Sequence, residues 1–283
     1  MKRLKEHAMG AVFLLAACVS VAAVVLICVF LFAGGLPAIA EIGVGEFLLG
    51  TSWQPENGQY GIFPMIVGSL CVTGGALLVG VPVGIFTAVF LACFCPKRLY
   101  RLLKPAVNLM AGIPSVVYGF LGLTVLVPLV RDTLGGRGFS VLAASLLLGV
   151  MILPTVVSVA ESSLRAVPSA CYEGALALGV THEHAVFRTV LPAAKSGVLA
   201  AVVLGLGRAI GETMAVIMVA GNQAVLPDEI TDGVRTMTAN VVLEMAYATD
   251  LHRGALIATA VVLFVFILLI NLLFSWLKRK GNS

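Results

Sequence analysis

The chain has 283 residues, of which 60% are hydrophobic and 11% charged, with a net charge of +4 and a mean hydropathy of +1.06. So few charges cannot cover a soluble domain of this length, which excludes a soluble enzyme and predicts an integral membrane protein. The six cysteines lie in or beside apolar segments, apart from Cys171 in a loop, and have neither disulfide-framework nor zinc spacing; they read as small core residues.

In chain order, residues 1–7 form a short basic head and 9–33 an apolar run long enough to span a bilayer. Ala38-Ile39-Ala40 is similar to a signal-peptidase site, but the run far exceeds a signal h-region, so an uncleaved anchor is expected. Residues 34–61 carry Glu41, Glu46 and Glu56 without Lys or Arg, and Trp53 and Tyr60 suit a membrane interface, which predicts an outside loop. A second span is expected over 63–94, interrupted by Pro82, and Lys97, Arg98, Arg101 and Lys104 then mark a return to the inside. The third span, 106–130, opens with AGIPSVVYGFLG (111–122), where Pro114 removes a backbone donor and the glycines permit close helix approach; packing and substrate lining both fit it. The fourth span is 140–160.

Residues 161–195 are too polar to span and too regular for a linker. They read as two short inward helices, one from Pro168 to Gly179 and one carrying Val186, Phe187, Val190 and Leu191 on one face until Pro192 stops it. His182 and His184 are two residues apart, point to different faces and read as solvated surface, while His252 reads as structural. No metal site and no cofactor are expected. No motif able to hold nucleotide phosphates is present, so any use of ATP belongs to another polypeptide.

The fifth span, 197–221, contains Arg208 and Glu212, and each ionisable group at a membrane helix centre costs roughly 2.5–3.5 kcal/mol. In one continuous helix the two share a face, about 6 Å apart along the axis, near and just outside the midplane. An arginine fork suits oxyanions, and a neighbouring carboxylate keeps the site weak enough to release its cargo. Thr213 joins them in the expected substrate path. A structural ion pair, or a proton-driven secondary transporter with Glu212 as relay, would use the same residues. Two small-residue ladders, Gly197, Ala201, Gly205 and Gly207, Gly211, Ala215, are expected to admit a neighbouring helix. Residues 222–253 are expected outside, with an amphipathic or re-entrant helix over 233–247, and 254–277 is the sixth span, closed by Lys278, Arg279 and Lys280. Thirteen Lys and Arg then fall on inward pieces and four on outward ones, which predicts cytoplasmic N and C termini in a multi-pass protein of the cell inner (cytoplasmic) membrane.

Glu173-Gly174-Ala175, Gly179 and Leu191-Pro192 resemble the EAA loop of ABC importer permeases, with Gly174 replacing the usual alanine. AGIPSVVYGFLG (111–122) and RAIGETMAVIMVAGN (208–222) resemble the permease subunits of phosphate-specific ABC importers, and GETMAV with its following Gly-Asn looks like the PstC-type subunit rather than its PstA-type partner. The resemblance covers about residues 63–248. It implies an all-α, six-span permease of type I ABC importer architecture, embedded in membrane lipid and without a nucleic-acid partner. It also implies a second homologous permease of the PstA type, two ATPase subunits and an extracytoplasmic phosphate-binding protein. The family's transport residues map onto Arg208 and Glu212, and its ATPase-coupling segment onto Glu173, Gly179, Val186, Phe187 and Pro192. Sulfate or molybdate remain alternative cargoes.

Overall fold

The computed structural model describes residues 2–280, with side chains from 9 to 276. The fold is all-α apart from one hairpin. Helix α1 (Lys2–Ile42) and the short α2 (Val44–Leu49) lead into β1 (Trp53–Gln54) and β2 (Gln59–Tyr60), antiparallel with Trp53 opposite Tyr60. Next come α3 (Phe63–Val89), which runs into a π turn at 90–94, then α4 (Lys97–Gly112), α5 (Ser115–Leu121), α6 (Val127–Leu134) and α7 (Val141–Arg165). The segment after α7 holds α8 (Ser169–Ala177), α9 (His182–Ala185) and α10 (Leu191–Ala193). The chain ends with α11 (Lys195–Gly211), α12 (Met214–Val219), α13 (Met237–Glu244) and α14 (Asp250–Lys280). Five described helices are long and apolar enough to cross a membrane; a sixth is counted if His182–Ala193 and Lys195–Gly211, bent by 70°, form one span.

Helix α7 is the centre, because its sequence is apolar nearly all round and such a helix is stable only when enclosed. Its Val156 is gripped from both sides. A Cβ at Gly84 on α3 would come within 2.7 Å of it, and one at Gly205 on α11 within 2.9 Å, so only glycine lets both backbones approach. The ladder Gly197, Ala201, Gly205 is therefore the seam between α11 and α7. The other ladder divides: Gly207 and Gly211 face open space, whereas Ala215 is buried against Gly119 of α5.

A second core joins α1 to α14, with Phe32 edge-on to Phe264, and seats the hairpin on α13 and α14. Trp53 and Tyr60 belong to this core and lie edge to face at 5.9 Å. The indole Nε1 donates to Glu244 at 2.9 Å, so its polar edge has an internal partner and needs no headgroup. The polar stretch 34–61 is likewise largely folded, its first part being the end of α1.

The third apolar segment runs over Ser115–Leu134 rather than 106–130. Pro114 disfavours helical geometry at the preceding residue, Ile113 is extended (φ −71°, ψ 126°), and residues 106–112 belong to amphipathic α4 instead. All six cysteines are free; Cys93 is partly buried against the main core, whereas Cys18, Cys71 and Cys171 are exposed and are not core residues.

A buried acid ties α4 to α7. Glu161, 2% exposed, accepts from Lys104 Nζ at 2.8 Å, Tyr100 Oη at 2.8 Å and Arg165 Nε at 2.9 Å, while Arg165 also donates to Leu91 O and lies 4.6 Å from the Tyr100 ring centre. Donation to Glu161 holds the Tyr100 hydroxyl above its usual pKa, so it keeps the proton it donates.

Candidate functional site

The helix carrying Arg208 stops at Gly211. Glu212 is extended (φ −72°, ψ 131°), Thr213 is irregular (φ −123°, ψ −57°), and helix resumes at Met214. The two ionisable residues thus do not share one helix face, because Glu212 lies in the break. Its carboxylate accepts from the backbone N–H groups of Thr213 at 3.2 Å and Ala215 at 3.3 Å and so caps α12. The break also frees carbonyls: Thr213 Oγ1 donates to Gly211 O, and Thr238 Oγ1 of α13 to Glu212 O at 3.2 Å. A break at membrane depth is tolerated only with such partners or beside a wet path.

Arg208 is half-buried one turn before the break. Among the described residues its side chain makes no hydrogen bond or ion pair, unlike Lys104 and Arg165, which share the Glu161 carboxylate, and Arg235, which pairs with Glu244. A guanidinium without an internal acceptor beside the open Gly207 and Gly211 can hold an anion. One wall nearby is α5 with the turn after it, where Gly119 and Gly122 lie against Met218 and Val219 of α12. These motif glycines are packing residues, while Val116, Val117 and Phe120 stay exposed.

Beyond α12 the chain reverses through Gly221 (φ 86°) and Asn222 (φ 54°), and Val234 N donates back to Ala220 O at 2.8 Å. A clamp that sequence reasoning missed secures this reversal. Arg235 donates to Asn222 O at 2.9 Å, to Asn240 Oδ1 at 3.0 Å and to Glu244, and Glu244 also meets His252 Nε2 at 2.9 Å and Trp53. His252 is structural, as expected, but by a specific bond. The helix foreseen over 233–247 is α13, pinned by Met237 N donating to Ser69 Oγ at 2.9 Å.

In the segment between α7 and α11 Glu173, Phe187 and Pro192 are exposed, and Gly179 ends its turn in the left-handed region (φ 84°) with its N–H donating to Leu176 O. Val186, only 1% exposed, packs into the main core and offers no direct contact to a partner. The large apolar side chain that stands out is Leu178, 86% exposed, at the last position before the Gly179 turn. His182 is not a solvated residue. Its Nδ1 lies 2.7 Å from Tyr172 Oη and its ring 4.6 Å from Phe94, which locks α9 onto α8 and the end of α3.

Residues 80–281 match the family model described as binding-protein-dependent transport system inner membrane component. The chain is 40% identical to the probable ABC transporter permease protein YqgH of Bacillus subtilis, covering 93% of this chain and 88% of that protein. It is 35% identical to the phosphate transport system permease protein PstC of Mesorhizobium japonicum (86% and 81%) and 34% identical to that of Haemophilus influenzae (87% and 84%). Among solved structures, an inward-facing MetNI methionine ABC transporter is similar in fold, with a TM-score of 0.64 at 20% identity, covering 82% of this chain and all of the other.

Proposed function

The chain belongs to the family of binding-protein-dependent transport system inner membrane components, and we propose that it is the PstC-type permease subunit of an ATP-driven importer of inorganic phosphate. The observation that carries the site is Arg208, a cation without an internal acceptor, beside the break at Glu212 and Thr213. These three residues line the path; the glycines around them leave room for a hydrated oxyanion. The architecture is that of a type I ABC importer permease with six spans, both termini cytoplasmic on the charge asymmetry, and the inward segment 161–195 facing the ATPase. A second, PstA-type permease completes the pathway, two ATPase subunits hydrolyse ATP, and an extracytoplasmic phosphate-binding protein delivers the cargo.

The competing oxyanion cargoes are sulfate and molybdate. The deciding experiment is ATP-dependent uptake in vesicles containing all subunits, comparing the three oxyanions. Saturable uptake of phosphate over the other two is expected. Uptake without any ATPase subunit would point instead to a proton-driven carrier.

The coupling role makes a separate prediction. Gly179→Pro forces φ to about −65° where the backbone has the opposite sign, and removes the N–H bonded to Leu176. Leu178→Asp places a charge on the most exposed apolar side chain of the segment without touching the core. Both variants are expected to insert normally yet lose co-purification with the ATPase. Normal association and transport in both would end the coupling assignment.

A further inference from the structure

We propose that α4 is an interfacial helix whose free face binds anionic phospholipid. Its packed face is fixed by Tyr100 and Lys104, both hydrogen-bonded to Glu161, with Lys104 also 3.4 Å from Ser158. Turning away from that face, Leu99, Leu102, Ala106 and Leu109 form an exposed stripe at helical spacing, with Leu102 70% and Leu109 73% exposed. Arg98 and Arg101 are exposed along one edge of the stripe, Lys97 is exposed in the first turn on another side, and the helix carries no acidic residue.

The occupant follows from how the helix is held. Two residues, Cys95 and Pro96, join it to the apolar segment that ends at Phe94, and Ile113 and Pro114 join it to the one that begins at Ser115. A helix of roughly 24 Å tethered at both ends to membrane-crossing segments stays near the bilayer surface. An apolar stripe flanked by cations then meets acyl chains with one sector and phosphates with the next. The cations favour an anionic headgroup over a zwitterionic one because no carboxylate on α4 compensates them. This inference depends neither on the cargo nor on ATP.

The test places photoreactive p-benzoylphenylalanine at Leu102 in the full chain, with its partner subunits, in vesicles of equal phosphatidylglycerol and phosphatidylcholine. Mass spectrometry of the adducts should show lipid, with phosphatidylglycerol enriched several-fold, since one surface cation favours anionic lipid by about fivefold. In Lys97→Gln, Arg98→Gln, Arg101→Gln the enrichment should vanish; if that variant fails to fold, Arg101→Gln alone should reduce it. Adducts on a second permease or an ATPase subunit, or lipid adducts at the bulk ratio in the unmodified helix, would overturn the proposal.

Discussion

Arg208→Ala is expected to reduce ATP-driven uptake by between about tenfold and a hundredfold without loss of insertion, the span of a charge-assisted hydrogen bond of roughly 1.5–3 kcal/mol. Nothing inside the described chain depends on the guanidinium for neutralisation, so its loss should leave the fold intact. Arg208→Lys keeps the charge but not the planar fork and should fall between. The partner residue separates two effects. Glu212→Gln retains an oxygen to cap α12 but loses the charge, whereas Glu212→Ala also loses the cap, worth about 1 kcal/mol. Near neutral pH phosphate keeps a proton that it can donate to a carboxylate, and sulfate has none, so the Gln variant should narrow discrimination between them when the binding protein is bypassed. Unchanged selectivity would rule out this filter. Because no ion pair joins the two residues, the double alanine variant should be no better than Arg208→Ala; recovery of transport would make them a structural pair after all.

The largest effect on stability is expected at Glu161. Glu161→Ala removes the acceptor shared by Lys104, Arg165 and Tyr100; because Lys104 is 22% and Arg165 46% exposed, solvent screens the freed cations and the expected loss is about 1–3 kcal/mol. Helix α4 would also lose its anchor to α7. Thermal unfolding of the detergent-solubilised protein, followed by size-exclusion chromatography, should show a clearly lower midpoint and reduced folded yield. Glu161→Gln, which can still accept from Tyr100, should lie between. A midpoint in Glu161→Ala equal to that of the unaltered protein would mean that water satisfies the cations and that the node adds nothing.

The two charged sites explain each other. Lys104 and Arg165 share the Glu161 carboxylate and Arg235 pairs with Glu244, and these pairings lower the cost of charge inside or beside a bilayer. Arg208 lacks such a match among the described residues, so its retention in an apolar helix calls for a partner from outside the chain. In the proposed function that partner is the anion in transit, and Gly207 and Gly211 leave open space beside it.

Much was determined by the sequence itself. The membrane class, most helix positions and the family motifs are local properties: runs of apolar residues, prolines and glycines at set spacings, and short strings such as Gly211 to Val216. Tertiary structure decided which charges pair and where the fifth segment breaks. Glu161 finds Lys104 57 residues away, and Glu244 finds Trp53 191 residues away, and no hydropathy pattern encodes such distances. The break at Glu212 is equally invisible locally, since no proline marks it. It persists because the Glu212 carboxylate caps the next helix and a hydroxyl 26 residues later, on Thr238, satisfies the carbonyl that the break sets free.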